Sequence, residues 1–284
     1  MVAKSKKVDP AGRPIRDFPV PAKPESHGPA RVIAVCNQKG GVGKTTSAIS
    51  LAGALAELGR HVLLVDFDPQ GALTAGMHAT TQDGNTIYDA LIGRQKDIRK
   101  LIQSTKVGGI HLVPANIDLS AAEVHLVNEV AREQTLARLL KPVIEDYDLV
   151  IVDCQPSLGL LTINALTASD GVLIPLETEF FALRGLALLI DTIEKVRERL
   201  NPGIHVDGIV ATMFDSRTLH AKEVLERVIE TFGDVVLDTV VGRTVKFPDS
   251  SVAGKPITEF SPEHDSANSY RQLARELIAR GSIA

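Results

Sequence analysis

A glycine-rich stretch near the start of the chain carries the residues most suited to chemistry. It reads Val-Cys-Asn-Gln-Lys-Gly-Gly-Val-Gly-Lys-Thr-Thr over positions 35–46. It ends as the phosphate-binding loop G-x-x-x-x-G-K-[ST] does, but Gln38 stands where the first glycine of that pattern belongs. The next residue is a second lysine, Lys39. One lysine is enough to reach the phosphates of one nucleotide, so the second must have another role.

The segments on either side of this loop fit a phosphate site. Residues 31–37 read as a strand, and a helix is predicted to begin just after the loop. Glycines let backbone N–H groups turn toward a phosphate, and a helix N-terminus adds positive potential there. A merely flexible glycine turn is the alternative. The predicted ligands are Lys44 for the β- and γ-phosphates, Thr45 for Mg²⁺ and Thr46 for the α-phosphate, within the loop backbone at Gly40, Gly41, Val42 and Gly43.

Two acidic motifs would complete such a site. Tyr147–Asp153 is an apolar strand that ends in an aspartate, which suits it to hold Mg²⁺ through water. Asp66 and Asp68 follow another apolar strand, and open α/β sheets bind ligands at the carboxyl ends of their strands. One of these two carboxylates is expected near the metal, while the other could orient an attacking water. A helix cap at Asp153 and an Asp-Pro turn at Asp68 are the structural alternatives.

The elements that must position these residues alternate along the chain. Several strand-like runs are too apolar to have a wet face, which is typical of a parallel sheet covered by helices. The alternation predicts right-handed crossovers and one doubly wound α/β domain with a mostly parallel sheet. Strands are predicted at residues 31–36, 61–65, 147–152, 171–175 and 205–211. Helices are predicted at residues 44–58, 133–145, 158–168, 183–200, 217–232 and 266–280.

Residues 71–128 are harder to interpret. A short helix near 87–91, a strand at 110–114 and a helix over 119–127 are predicted, and together they could form an insertion at the edge of the sheet.

Composition places the chain among ordinary globular proteins. Its 284 residues are 44% hydrophobic and 23% charged. No apolar run approaches the roughly 20 residues that cross a bilayer, and no signal peptide is recognised, so a cytoplasmic location is expected. Cys36 and Cys154 form no CxxC pair, which favours buried reduced thiols over a metal or redox site.

Charge is unevenly distributed. The net charge is −4, yet residues 1–30 hold six Lys or Arg against three Asp or Glu, and six of the fifteen prolines. The first 30 residues are therefore predicted to be a disordered, mildly basic tail, with residues 31–284 as the folded domain. Any polyanion would have to meet a local basic patch.

With these motifs the sequence resembles the ParA/Soj group of deviant-Walker ATPases, within the superfamily that also holds MinD and the nitrogenase iron protein. The resemblance covers about residues 31–281 and is nearest to the chromosomal orphan branch of actinobacteria. Gln155 and Thr178 depart from the usual pattern. The matching segments are residues 39–46, 65–71, 152–159, 180–186, 212–218 and 254–257.

The resemblance implies a role for each unusual residue of the site. Lys39 would be the signature lysine, which contacts the phosphates of the other subunit in an ATP-dependent sandwich homodimer. Asp68 would be the hydrolytic aspartate and Asp66 would support the metal. Met213 and Phe214 occupy family positions of the adenine pocket, although core packing is an equal alternative for them.

The resemblance also implies partners. Dimeric ParA proteins bind DNA without sequence preference, here through Arg217, Lys222, Arg243 and Lys246, while residues 241–247 are interpreted as a loop. The expected function is positioning of a chromosome, plasmid or other cargo on the nucleoid, with a ParB-like activator possible. A positioning switch recruited by a partner or a membrane is the alternative, and an amidoligase is disfavoured. The last helix resembles a core helix and not a membrane-binding one, so no membrane insertion is expected.

Overall fold

Strands and helices alternate along most of the chain. The computed structural model describes residues 8–14, 16–81, 85–179 and 182–283. The strands in these ranges are Arg31–Val35 (β1), Val62–Phe67 (β2), Gln103–Ser104 (β3), Ile110–Val113 (β4), Leu149–Cys154 (β5), Gly171–Glu177 (β6), His205–Phe214 (β7) and Val236–Gly242 (β8). The α-helices are Lys44–Glu57 (α1), Ala72–Gly76 (α2), Ile87–Leu91 (α3), Ala122–Leu126 (α4), Thr135–Leu140 (α5), Leu160–Ala168 (α6), Ala182–Arg199 (α7), Leu219–Phe232 (α8), Lys246–Ala253 (α9), Ile257–Phe260 (α10) and Asp265–Ala279 (α11).

The strands form one sheet in the order β3-β4-β2-β5-β1-β6-β7-β8. All neighbours pair in parallel except β3, which runs antiparallel to β4. The first strand lies near the middle, between β5 and β6, so the loop that follows it emerges where the strand order reverses. Ligands of doubly wound sheets bind at such a switch point. The predicted fold class is confirmed.

Helices cover both faces of the sheet. Side chains of α3 to α8 pack into one buried cluster, and those of α1, α2, α9, α10 and α11 pack into the other. The central strands are buried along their whole length, as in β5, because each residue faces one cluster or the other. Within the described part of the chain, none of the helices has the length and apolar character that crossing a bilayer requires.

Residues 71–128 lie at one edge of the sheet, as predicted, and supply its last two strands, β4 and β3. The strand at Ile110–Val113 lies inside the sheet and pairs in parallel with β2, while the two-residue β3 forms the edge. The predicted helix over 119–127 is a 3-10 turn at Ile117–Ala121 followed by α4. Apolar runs this short do not distinguish an inserted strand from a core one.

Two further boundaries differ from the predictions. The helix predicted over 133–145 is α5 alone, and a 3-10 segment follows it at Lys141–Asp146, where Pro142 cannot donate a backbone hydrogen bond. The segment 241–247, interpreted as a loop, contains the end of β8, a turn at residues 243–245 and the first residues of α9. Strand β8 was not predicted at all.

The segment before β1, predicted to be a disordered tail, makes specific contacts where the structure describes it. The Arg13 guanidinium donates to the Val236 and Leu237 carbonyls at 3.2 and 2.8 Å, along the outer edge of β8. His27 pairs with Asp148 at 2.7 Å. In the described residues 8–14 and 16–30, cations of this segment therefore have carbonyl and carboxylate partners on the domain, and the division of the chain at residue 30 stays a prediction. Residues 1–7 and 15 lie outside the described residues.

Candidate nucleotide site

The loop between β1 and α1 is shaped as an open cradle. Gly41 and Gly43 have φ of 78° and 81°, a left-handed conformation that other residues adopt only with strain. A Cβ placed on Gly40 or Gly41 would meet no atom within 4 Å, so one side of the loop is open. The backbone of residues 40–43 can therefore approach a phosphate closely.

Lys44, the first residue of α1, places a charge at the base of this cradle. The residue is only 7% exposed, and its Nζ donates to the Lys39 carbonyl at 3.1 Å. Burial lowers the pKa of Lys44, while the charges of Asp153, Cys154 and Asp68 act in the opposite direction. A buried ammonium that faces an open loop is suited to an anionic ligand.

Asp66 and Asp153 lie side by side at the carboxyl ends of β2 and β5, where they are register partners. Both are buried, at 0% and 1% exposure. The Asp66 Oδ2 accepts hydrogen bonds from the Thr74 amide and hydroxyl at 2.8 and 2.6 Å, and Oδ1 accepts from the Asp68 amide at 3.3 Å. Burial raises the pKa of Asp66 to about 6 despite these bonds.

Asp153 differs because, among the described residues, neither of its oxygens has a hydrogen-bond partner. Burial raises its pKa to about 8, the Asp66 charge adds to that rise, and Thr45 and Lys44 oppose it. A buried carboxylate without a donor is costly unless a cation is bound, and Mg²⁺ prefers carboxylate oxygen. The residues present therefore fit a magnesium ion at Asp153, with the Thr45 hydroxyl beside it.

Asp68 lies at the start of the turn after β2. It is half-buried, and its Oδ1 accepts from the Gln70 amide at 2.9 Å. The Asp-Pro turn considered from the sequence is thus present, and it fixes the carboxylate at the same end of the sheet as Lys44 and Asp153. A turn and a role in hydrolysis are compatible here.

A cavity of about 210 Å³ opens beside the loop. Met213 contributes to its wall and has a left-handed φ of 49°. Phe214 does not line this cavity; it is 5% exposed and packs into the cluster beneath α3 to α8. The remaining wall residues are Thr46, Arg243, Thr244, Phe247, Pro248 and Ser251. Sequence reasoning missed the last four because they lie about 200 residues from the loop along the chain, in a stretch without a phosphate motif.

Lys39 points away from the cradle. Its Nζ donates to Glu177 Oε2 at 3.1 Å and also to Glu179, and 42% of its side chain is exposed. Burial lowers the pKa of Lys39, but the hydrogen bonds and charges of Glu179 and Glu177 outweigh it and raise the pKa above its usual value. The two lysines of the loop thus differ in environment, since one is buried in the cradle and the other is exposed and paired.

The four cations predicted to bind DNA are not gathered into one cluster. Arg217 makes two hydrogen bonds to Asp215, at 2.8 and 2.7 Å, and Arg243 donates to Glu177 at 2.9 Å. The loops that carry the two arginines touch, because the Arg243 amide donates to the Phe214 carbonyl at 3.1 Å. Lys222 lies on α8, and Lys246 begins α9. Their role on DNA stays a prediction.

Comparison with known sequences assigns the family. The family described as AAA domain matches residues 30–206. The chromosome-partitioning ATPase Soj of Treponema pallidum is 45% identical over 250 residues, covering 88% of this chain and 98% of that protein. The chain belongs to the ParA/Soj family of ATPases. The protein Rv1708 of Mycobacterium tuberculosis is 59% identical over 270 residues, covering 95% and 85% of the two chains.

A solved structure of similar sequence has the same fold and holds a nucleotide and magnesium. The crystal structure of a Mycobacterium smegmatis protein, named cobyrinic acid a,c-diamide synthase and holding ADP and magnesium, is 38% identical with a TM-score of 0.78. It covers 89% of this chain and 96% of that one. The nucleotide and metal predicted from the motifs, ATP and Mg²⁺, are confirmed at the level of the family. The roles of individual residues stay predictions.

Proposed function

We propose that this chain is a chromosome- or plasmid-partitioning ATPase of the ParA type, which pairs with a second copy of itself when it binds ATP. The observation that carries this proposal is the difference in environment between the two lysines of the loop. Lys44 is buried at its own phosphate cradle, whereas Lys39 is exposed and turned outward. A second chain facing this loop could receive Lys39 at its own phosphates, as a charge supplied in trans.

The chemistry follows from the buried charges. The amides of the glycine loop and the Lys44 ammonium bind the phosphates and offset their negative charge. Asp153 and Thr45 would hold the magnesium ion, which would neutralise charge on the phosphates. Asp66 would support the metal, and it positions the turn that carries Asp68 by accepting a hydrogen bond from the Asp68 amide. The Asp68 carboxylate orients the attacking water and can accept its proton.

DNA is the proposed second ligand of the paired form. Two copies of a small patch around Arg217 and Arg243 bind phosphates with a higher combined affinity than one copy. Such binding would place the protein on the nucleoid, and it explains how a chain of net charge −4 could bind a polyanion. Stimulation by a ParB-like protein belongs to the same proposal.

Two measurements test this proposal. Light scattering with ATP and Mg²⁺ should show a dimer, and with ADP a monomer. Asp68→Ala should bind ATP and remain dimeric, because hydrolysis no longer separates the subunits. Anisotropy of a random DNA duplex at two salt concentrations should show ATP-dependent, salt-sensitive binding. Dimerisation without DNA binding would favour the alternative, a switch recruited by a partner protein or a membrane.

An amide-forming enzyme is a second candidate, because the similar Mycobacterium smegmatis protein is named as a cobyrinic acid synthase. The second lysine of the loop, Lys39, and the lack of a recognisable substrate motif in the sequence favour the partitioning function. ATP turnover that requires cobyrinic acid and glutamine would reverse this preference.

A further inference from the structure

One carboxylate of this chain binds two cations that the proposed function uses for different purposes. Glu177, the last residue of β6, accepts from Lys39 Nζ at 3.1 Å through Oε2 and from Arg243 Nη2 at 2.9 Å through Oε1. Its side chain is 11% exposed, against 42% for Lys39 and 62% for Arg243. The carboxylate is therefore the buried centre of the group, and the two cations are its exposed members.

The two cations come from separate parts of the sequence. Lys39 belongs to the phosphate loop, and Arg243 follows β8 at the rim of the small cavity. Glu179 binds Lys39 as well, so the lysine has two carboxylate partners within its own chain. An ammonium held in this way is partly neutralised before any second chain approaches it.

Sharing one carboxylate makes the two cations competitors. Each positive charge weakens the hold of Glu177 on the other, because like charges close together repel. Loss of either cation should therefore strengthen the pairing of the one that remains. Ion pairs whose cations are exposed are weak, so they can be exchanged for phosphate contacts.

We propose that Glu177 is a positioning residue that holds both Lys39 and Arg243 within a single chain and thereby opposes two events, the ATP-dependent pairing of chains and the binding of DNA. The inference rests on the proposed function, since it assigns a regulatory element to the same site. Among the described residues, the Glu177 side chain accepts hydrogen bonds from Lys39 and Arg243, and it acts through these two cations. Glu179 also binds Lys39, so it contributes to holding this lysine.

The first test compares the dimerisation and DNA binding of three variants, each of which replaces one carboxylate by a neutral amide. Glu177→Gln should lower the protein concentration needed for half-dimerisation in ATP and Mg²⁺ by about two- to fivefold and raise affinity for a random DNA duplex by a similar factor. Glu179→Gln should favour dimerisation with a smaller effect on DNA. Glu194→Gln removes a carboxylate whose partner is Arg197 on α7, so it is the matched control and should change neither. A Glu177→Gln protein that dimerises as the control does, or less, overturns the proposal.

The second test reads Lys39 directly and needs no dimer. Acylation of Lys39 by an amine-reactive ester, followed by peptide mass spectrometry without nucleotide, reports how tightly the ammonium is held. Glu177→Gln should speed the reaction about two- to fivefold, since the amine is deprotonated more often. Arg243→Ala should slow it, because Glu177 then serves Lys39 alone, and this slowing should vanish in the double variant. If Arg243→Ala slows the acylation of Lys39 equally when Glu177 is replaced, or changes the rate in neither background, the two cations do not compete for Glu177.

These tests separate the inference from the function it rests on. Wild-type protein that stays monomeric in ATP and Mg²⁺ contradicts the proposed function, while acylation of Lys39 still measures the hold of Glu177. Wild-type protein that dimerises, with Glu177→Gln unchanged in both assays, contradicts the inference alone.

Discussion

The phosphate cradle differs from the rim around it, formed by Lys39, Arg217 and Arg243, in how its charged side chains are buried and paired. In the cradle, Lys44 and Asp153 are buried, and the carboxylate has no donor among the described residues. At the rim, Lys39, Arg217 and Arg243 are exposed and each is paired with a carboxylate of the same chain. An unpartnered buried charge is costly and indicates a site for a ligand, whereas exposed pairs cost little to exchange. The buried charges of the cradle therefore favour a bound ligand, whereas the ion pairs of the rim can be exchanged for other contacts at little cost.

The largest effect is expected from the buried lysine. Lys44→Ala removes the cation that reaches two phosphates, so affinity for a fluorescent ATP analogue should fall about a thousandfold, as the loss of several charge-assisted hydrogen bonds implies. Lys39→Ala is the matched control and should change the affinity of the single chain by less than about threefold. Equal losses for the two lysines would break the distinction between cradle and rim.

A pH dependence is expected from Asp153. Its pKa in the folded, nucleotide-free chain is about 8, well above that of an unfolded carboxyl. Between the two values the native state binds the extra proton, so the free energy of unfolding falls as pH rises. At about 1.4 kcal/mol per pH unit, the loss from pH 5 to pH 8 should be roughly 3 to 4 kcal/mol for Asp153, and Asp66 should add about 1 kcal/mol in the lower part of the range.

Chemical denaturation of wild-type and Asp153→Asn proteins at several pH values measures this loss. The asparagine variant cannot ionise, so its stability should vary less with pH than that of the wild type. Wild-type and variant curves with the same slope would contradict an unpartnered buried carboxylate at this position.

A smaller effect is expected at the rim. Arg217→Ala with Arg243→Ala should weaken ATP-dependent DNA binding by about tenfold and make the slope of log affinity against log salt shallower by about one unit for each lost phosphate contact. Arg197→Ala removes an exposed arginine of α7 that also has a carboxylate partner, and it serves as the control. If the double variant binds DNA with unchanged affinity and salt slope, DNA contacts lie elsewhere.

The cradle could be predicted from the sequence more fully than the rim. Residues 40–46 are contiguous, and the strand ends that carry Asp66 and Asp153 must meet at one edge of a parallel sheet. The pairing of Glu177 with Lys39 and Arg243 joins three distant segments, and no local pattern indicates which surface charges meet. The same holds for the cavity wall at Thr244, because no local pattern indicates that this turn lies beside the phosphate loop.

Strand β8 and the pairing partners of β4 were also beyond prediction. Strand β8 mixes buried and half-buried residues, α11 packs against it, and the Arg13 guanidinium donates to two of its carbonyls. The inserted position of β4 depends on pairing with β2, some fifty residues earlier. Such long-range pairing is decided by tertiary packing and not by local propensity.

The most direct measurement of the central claim is the mass of the ATP-bound particle with and without Lys39. Asp68→Ala and Asp68→Ala/Lys39→Ala proteins are saturated with ATP and Mg²⁺ and compared by multi-angle light scattering, with bound nucleotide quantified in each. We expect a dimer for the first and a monomer with bound ATP for the second, because Lys39 acts on the nucleotide of the other chain. A double variant that dimerises as strongly as Asp68→Ala would contradict the account.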